Sequence, residues 1–161
     1  MNLELNNIFS KYFIAFDGED NSNTEICKKC GGDCCNRMGC HISPFDLKEI
    51  SFDFIRALID ESNCISIDWW EGDAWEGNYE RVYYLRLRNE DSEIVDPSWH
   101  GKCSILTDVG CSLSFQYRPK GGRGLIPSEE DCCIVYSKYQ CCEDWYPYYD
   151  ILEELHDYYD K

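Results

Sequence analysis

The residues best suited to chemistry in this sequence are its cysteines, of which there are twelve among 161 residues. Their distribution is uneven. Five fall between residues 27 and 40, one stands alone at Cys64, and the others are Cys103, Cys111, the doublet Cys132–Cys133 and the doublet Cys141–Cys142. Cysteine thiolates act as metal ligands, nucleophiles and redox groups. Packing alone would not group them in this way, so the pattern predicts a shared chemical task for most of these thiols.

The first cluster, Cys27-Lys-Lys-Cys30-Gly-Gly-Asp-Cys34-Cys35, has the spacing of a metal site. A Cys-x-x-Cys turn directs two thiolates at one tetrahedral ion, and Gly31–Gly32 allows the tight turn that brings backbone amides near the sulfurs. Adjacent cysteines point in different directions, so either Cys34 or Cys35 could reach a second site or bridge two metals. The cluster predicts zinc or iron ligation by Cys27, Cys30, Cys34 and Cys35.

Other chemistries are possible for the same cluster. A thioredoxin-like redox pair would open a helix after a strand, whereas the residues before Cys27 are polar and typical of a loop, which favours metal binding. The cysteine spacing of bacterial ferredoxins is absent, so an iron–sulfur cluster is left open without support from this motif. His41 and His100 could each add an imidazole ligand, although a single histidine at such a place is more often a surface or turn residue.

The charge balance narrows the classes of partner. Fifteen Lys and Arg against 31 Asp and Glu give a net charge of −16. This argues against binding to nucleic acid, which depends largely on basic side chains, and against adhesion to an anionic membrane. Arg118 and Arg123 form the one compact basic element of the sequence. They would neutralise a thiolate-rich centre, hold an anionic group, or form surface salt bridges.

The beginning of the sequence bears on the redox compartment. Residues 1–20 have no basic region, apolar run or cleavage site of the kind found in signal peptides, and no stretch reaches the roughly 18 apolar residues of a membrane span. We therefore expect a cytoplasmic protein in which the thiols stay reduced and bind metal. A secreted disulfide scaffold is the alternative that the even number of cysteines allows.

Amphipathic patterns predict the helices that position these cysteines. One apolar stripe predicts an N-terminal helix, a second predicts a helix that begins at Ser43 as N-cap and runs to about Glu61, and a third predicts a C-terminal helix from about residue 146 to 160. The residues of the three stripes are Leu5, Ile8, Phe9, Tyr12 and Phe13; Phe52, Ile55, Leu58 and Ile59; and Ile151, Leu152, Leu155, Tyr158 and Tyr159. His156 on the last helix is predicted to be solvated.

Alternating patterns predict strands at residues 64–70 and 79–88, separated by a turn. The second alternates aromatic and branched residues with arginines and is typical of a strand with one wet face. Short strands are expected at Cys103–Leu106 and Cys111–Tyr117, and Cys64 is expected to be a small core residue. The sequence thus predicts one small α+β domain over residues 1–161, with a few helices, a short antiparallel sheet and metal-stapled loops.

Several motifs together resemble a known family. The first cluster and the following Ile42-Ser-Pro-Phe-Asp-Leu-Lys-Glu-Ile50 resemble the opening of YkgJ-type cysteine-cluster proteins. Those proteins share the CxxCxxCC zinc- or iron-chelating domain and are related to flagellin lysine-N-methylases. His100-Gly-Lys-Cys103-Ser-Ile-Leu106, Gly110-Cys111 and Tyr117-Arg118-Pro119 are similar to the family's later motifs, and Arg123 and Pro127 fall where it has Cys-Arg-x-x-Pro. The similarity covers about residues 25–135.

The resemblance implies a set of metal ligands. They would be Cys27, Cys30, Cys34, Cys35, Cys103, Cys111 and either Cys132 or Cys133. The sequence departs from the family pattern in two places: three residues separate Cys30 from Cys34 instead of two, and the cysteine expected before Arg123 is Gly122. The incomplete set would leave an open coordination position or abolish a site, unless Cys40, Cys141 or Cys142 takes the missing place.

The sequence therefore predicts a cytosolic protein that chelates zinc or iron through clustered thiolates, with the metal ion as its expected partner. A redox or group-transfer metalloenzyme is the second hypothesis, because the resemblance includes methylases. It rests on analogy alone, since the sequence contains no recognisable cofactor motif or catalytic triad.

Overall fold

The computed structural model describes residues 2–20, 22–30, 40–71, 81–88, 93–96, 103–107, 110–124, 126–128, 132–134 and 141–161. Helices and strands follow one another along these ranges, with short 3-10 turns at Pro44–Asp46, Phe115–Tyr117 and Tyr146–Tyr148. The helices are α1 (Leu3–Tyr12), α2 (Thr24–Cys30), α3 (Phe52–Ser62), α4 (Lys120–Arg123), α5 (Cys141–Asp144) and α6 (Tyr149–Tyr159). The strands are β1 (Cys40–Ile42), β2 (Ile65–Glu71), β3 (Arg81–Leu87), β4 (Val95–Asp96), β5 (Leu106–Thr107), β6 (Gly110–Cys111), β7 (Ile126–Ser128) and β8 (Cys132–Ile134).

A four-stranded sheet with the order β1-β3-β2-β4 forms the centre of the fold. Its β1–β3 and β3–β2 pairs are antiparallel, and β4 runs parallel to β2. Two small antiparallel pairs, β5–β6 and β7–β8, lie outside this sheet. Helices beside a short, mainly antiparallel sheet confirm the predicted α+β class. No helix in the described ranges is long and apolar enough to cross a membrane.

One face of the sheet forms the hydrophobic core with helices α3 and α6. The register places apolar side chains of β1, β3 and β2 on this face, and those helices supply the opposing side chains. The residues concerned are Ile42, Ile65, Ile67, Leu85 and Leu87 from the strands and Ile55, Leu58, Leu152 and Leu155 from the helices, all almost fully buried. Burying such side chains contributes about 1.5–3 kcal/mol each before entropy is subtracted.

The predicted helix from Ser43 to about Glu61 is wrong as one element, because it is divided into two. Ser43 caps only the turn Pro44–Asp46, through a capping box with Asp46, and the chain is already extended at Leu47. Leu47 makes a β-bridge to Phe13, and Ser51 then caps α3 with its side chain. The tertiary pairing of Leu47 thus interrupts a pattern that would otherwise continue as helix.

The predicted start of the C-terminal helix, the exposure of His156 and the length of the strand at Cys111 also need correction. Helix α6 begins at Tyr149 after a 3-10 turn, later than predicted, and its His156 is only 4% exposed instead of solvated, since its ring packs 5.3 Å from the ring of Tyr83. The strand expected at Cys111–Tyr117 ends at Cys111, and a 3-10 turn follows at Phe115–Tyr117.

The wet face predicted for β3 is wrong as well. Arg86 is completely buried and Arg88 is 9% exposed. Arg86 can be buried because its Nη2 lies 2.6 Å from the Oδ2 of Asp68, which is also completely buried, and Arg88 adds a contact of 3.7 Å to the same oxygen. A charged side chain is tolerated in such a place when a partner of opposite charge accompanies it.

Candidate metal centre

The described thiols come from five separate parts of the chain. Cys27 lies on α2, Cys40 begins β1, Cys64 follows α3, Cys103 precedes β5 and Cys111 ends β6. Within the described part of the chain, these five are present as thiols outside any disulfide. Their positions show how the fold gathers sulfur atoms that are far apart in sequence.

Helix α2 brings the first cluster to the two small hairpins. It packs against β6, β7 and β8, which carry Cys111 and the doublet Cys132–Cys133. Gly110 of β6 lies beside α2: a Cβ built there would lie 3.5 Å from the Cβ of Cys27, an ordinary contact distance. Its φ of +111° is a conformation that glycine adopts with least strain, so Gly110 is required by the turn.

Cys111 lies in a mixed environment. Burial raises the pKa of its thiol, and the nearby Cys27 raises it further. The positive charge of Arg118 and hydrogen bonds from the Leu113 N–H and the Arg118 guanidinium lower this pKa, although they do not reverse the effect of burial. Burial therefore favours the protonated thiol of Cys111, and Arg118 offsets part of this effect.

Cys103 is more deeply buried than Cys27 and Cys111. It is only 2% exposed, and burial raises its pKa to about 12, with further contributions from Cys111 and Cys64. The backbone N–H groups of Ile105 and Cys40 act in the opposite direction and lower this pKa, but less than burial raises it. The pKa of Cys103 is thus affected by Cys111 and Cys64, and the pKa of Cys111 by Cys27.

Cys64 is a neighbour of the segment of Cys103 that the sequence did not suggest, since the Ser104 hydroxyl donates to the Cys64 carbonyl oxygen at 3.0 Å. It packs against the core, as predicted, and burial raises its pKa, while a hydrogen bond with the Ser104 side chain opposes the rise. It also lies near enough to Cys103 to raise the pKa of that thiol. No local motif reveals this proximity, because it arises when the residues after α3 meet the segment before β5.

Cys40 lies against Gly122, the position where the resemblance expects a cysteine. Helix α4 packs on β1, and a Cβ built on Gly122 would lie 2.7 Å from the Cys40 sulfur, a distance too short for any real contact. The Cys40 side chain is 5% exposed and fills the space that a side chain at residue 122 would need. Of the three substitutes considered from the sequence, Cys40 is the one whose side chain is described, and its sulfur lies beside residue 122.

A buried carboxylate holds α4 in this place. Asp46 accepts hydrogen bonds from the backbone N–H groups of Ser43 and Lys120, each at 2.9 Å, and its Oδ1 lies 3.4 Å from Nη2 of Arg123. Lys120 makes a second contact of 2.8 Å to Asp144. Arg123 therefore takes part in a salt bridge, as one interpretation of the basic segment predicted, whereas Arg118 donates to the carbonyl oxygen of Leu113 at 3.3 Å.

His41 is not the surface histidine that its sequence position suggested. It is largely buried, and burial together with the positive charge of Arg86 lowers its pKa to about 4. Its ring is tilted against Tyr84, with the two centroids 4.9 Å apart. His100 lies outside the described residues.

Several predicted ligands lie wholly or partly outside the described residues. Cys34 and Cys35 belong to a range that is not described, and for Cys30, Cys132, Cys133, Cys141 and Cys142 only the backbone is placed. Within what is described, no group of three or more His, Cys, Asp or Glu side chains could hold a metal ion. The described residues therefore supply neighbouring thiols and the contact of α2 with β8, and not a closed coordination sphere.

No family model matches the chain, and no curated protein or solved structure matches it either. The resemblance to YkgJ-type proteins consequently rests on the order and spacing of the motifs.

Proposed function

We propose that this protein binds zinc or iron through cysteine thiolates gathered at the contact of α2 with the hairpins β5–β6 and β7–β8. The observation that carries the proposal is that helix α2, with Cys27 and Cys30, packs against the strands of Cys111 and of Cys132–Cys133. Sites of this kind are built where loops from distant parts of a chain meet at a few thiolates. The YkgJ-type motif order supports the same function.

The chemistry of the donors favours these two metals. Thiolates bind zinc and the iron of iron–sulfur clusters strongly, whereas magnesium and calcium prefer oxygen. The buried thiols have raised pKa values, so a metal must displace their protons on binding. Binding would then release protons and stabilise the fold, because the ligands do not lie near one another in an unfolded chain.

The compartment that fits this chemistry is the cytoplasm, where thiols remain reduced. Cys27, Cys103 and Cys111, three of the predicted ligands, are present as thiols outside any disulfide. A count of reactive thiols tests this part of the proposal against a disulfide scaffold. Denatured, chelator-treated protein should release most of its twelve cysteines as thiols without reductant, whereas a scaffold would release few.

Elemental analysis combined with an absorption spectrum tests the proposal directly. Protein prepared anaerobically under reducing conditions should contain at least one zinc or iron per chain. Absorption in the visible range indicates iron–sulfur or ferric thiolate, and its absence with metal present indicates zinc. A folded protein with less than one equivalent of either metal would overturn the proposal.

Variants locate the site within the chain. Cys27→Ser and Cys111→Ser should each lose metal, because these thiols lie at the contact of α2 with β6. Cys64→Ser serves as the matched control, because Cys64 packs on the core and is not among the predicted ligands. Retention of the full metal content in both Cys27→Ser and Cys111→Ser would place the metal elsewhere.

A further inference from the structure

Helix α4 has no apolar side chain with which to hold itself on the fold. Its four residues are Lys120-Gly-Gly-Arg123. Helices of small domains are held mainly by the apolar face that they bury, and glycine makes a helix less stable because it loses more conformational entropy on ordering than other residues do. The position of α4 therefore depends on contacts other than the burial of apolar side chains.

The backbone of α4 lies directly on β1, which is an edge strand of the central sheet. A Cβ built on Gly121 would lie 2.6 Å from the carbonyl oxygen of His41, and one built on Gly122 would lie 2.7 Å from the Cys40 sulfur. The two glycines thus allow the helix to approach more closely than any other residue would permit. This approach places α4 over the side chain of Cys40, which is only 5% exposed.

Two carboxylates hold α4 in this position. Asp46 accepts a hydrogen bond from the backbone N–H of Lys120 at 2.9 Å, and its Oδ1 lies 3.4 Å from Nη2 of Arg123. Asp144 accepts from the Lys120 ammonium at 2.8 Å. Hydrogen bonds of this kind, in which one partner or both are charged, are stronger than neutral ones. The attachment of α4 is thus largely electrostatic, whereas the neighbouring core is apolar.

The two cations of α4 also lie on aromatic rings that face solvent. Nζ of Lys120 is 5.4 Å from the ring centroid of Phe45, and Cζ of Arg123 is 4.2 Å from that of Phe16. Phe45 is 68% exposed and Phe16 is 37% exposed. Segments that bury few apolar contacts and lie near solvent open at a lower free energy than the core does. Helix α4 has the properties of such a segment.

We propose that α4 is a lid over the Cys40 thiol, kept closed by Asp46 and Asp144, and that the thiol becomes accessible when α4 lifts from β1 while the core stays folded. The inference goes beyond the proposed function, because neither the lid nor its carboxylates require a bound metal. The species that the lid admits are small thiol-reactive electrophiles and oxidants, which react with the thiolate form of cysteine.

The test compares the rate of Cys40 alkylation in the wild-type protein and three variants. The native protein is pulsed with iodoacetamide in the presence of a chelator, so that the thiolate displaces iodide, and the modified cysteines are identified by peptide mass spectrometry. Asp46→Asn and Asp144→Asn each remove one carboxylate charge from the lid. Asp53→Asn is the matched control, because this exposed carboxylate pairs with Arg56 on α3. Amide hydrogen exchange of residues 120–124 and of strand β3 is measured on the same samples.

We expect Cys40 to be alkylated roughly 10-fold faster in Asp46→Asn, because losing hydrogen bonds to a charged group raises the population of the open state by about this factor. The increase in Asp144→Asn should be smaller, up to roughly 5-fold, because its ion pair with Lys120 is partly exposed. The amides of residues 120–124 should exchange faster in the same order. The β3 amides should keep their wild-type exchange rates in these variants, and Asp53→Asn should match the wild type in every measurement.

Two results would overturn the inference. If exchange in β3 accelerates as much as the alkylation of Cys40, the whole domain is opening and α4 is not a separate lid. If Cys40 is alkylated at the wild-type rate in both Asp46→Asn and Asp144→Asn, these carboxylates do not hold α4 closed. Should Asp46→Asn fail to fold, Asp144→Asn distinguishes the same outcomes. Metal content is measured separately, so the proposed function and the lid can each fail without the other.

Discussion

The contact between Gly122 and Cys40 leads to a prediction that is independent of any metal. In Gly122→Ala the new Cβ would lie 2.7 Å from the Cys40 sulfur, about 1 Å less than the roughly 3.5–4.0 Å of a comfortable contact. Cys40 cannot easily retreat, because it is buried and its strand is paired with Leu87 of β3. The substitution therefore forces the sulfur into a neighbouring region of the core.

The expected cost follows from two opposing effects. Overpacking of a tight interior costs typically about 1–3 kcal/mol, and alanine in place of glycine within a helix returns roughly 0.5–1 kcal/mol. Gly122→Ala should thus lower the free energy of unfolding by about 1–2 kcal/mol. In a Cys40→Ala background the sulfur is gone, and the same substitution should be neutral or slightly stabilising.

The assay is a double-mutant cycle by urea unfolding, with chelator and reductant present so that no metal contributes. Fluorescence of the five tryptophans, of which Trp145 is completely buried, reports the transition. Gly121→Ala is the control: its Cβ would meet the carbonyl oxygen of His41 at 2.6 Å, and this backbone atom is present in both backgrounds. Equal destabilisation by Gly122→Ala with and without the Cys40 sulfur would refute the reasoning.

Two further predictions concern buried charge in the sheet. Because the pKa of His41 is about 4 in the fold and about 6.5 in an unfolded chain, its proton binds the unfolded state first, so stability is lost as the pH falls from about 6.5 toward 4. When the pH is lowered over this range, the free energy of unfolding measured with denaturant should fall by up to about 3 kcal/mol less in His41→Gln than in the wild type. Equal falls in the two proteins would contradict the prediction. Asp68→Asn leaves the buried Arg86 without its counter-charge and should destabilise the protein by about 3–5 kcal/mol in urea unfolding, whereas Arg56→Gln should change stability by less than about 0.5 kcal/mol. Equal effects of these two substitutions would show that the burial of Arg86 is not what makes its ion pair important.

The parts of the fold that sequence reasoning found are those in which one periodic pattern coincides with one element. The stripe from Phe52 to Ile59 lies in α3, and the alternating run that ends at Arg88 contains β3. Boundaries were less accurate where tertiary contacts act: Leu47 is drawn from the helical pattern into a β-bridge with Phe13. The local sequence carries no record of that pairing.

The sequence pattern also gave wrong predictions of which charged and polar side chains are buried. Arginines at alternate positions usually mark a wet face, but Arg86 is buried because Asp68 lies on the adjacent strand. His156 is buried by Tyr83 for a similar reason, since its aromatic neighbour comes from a distant segment. Such partners are set by the register of the sheet and the packing of helices on it.

For the candidate site, the cysteine motifs identified the segments that meet but not how they meet. The contact of α2 with β6, which places Gly110 beside Cys27, joins residues more than eighty positions apart. The Cys64 thiol was correctly predicted to be packed on the core, and its nearness to Cys103 became apparent only in three dimensions. The spacing of the cysteines in sequence thus predicted candidate metal ligands. Which residues surround each of them depends on the fold.

The burial of Cys103 also has a consequence for rates. Electrophiles and oxidants react with the thiolate form, and this thiol is both inaccessible and held protonated by its raised pKa. A reagent or an ion can therefore reach its sulfur only during local opening of the surrounding residues, whose frequency depends on the free energy of that opening. The rate of reaction at the Cys103 sulfur is therefore set by how often the surrounding residues open, and not by how fast the reagent diffuses.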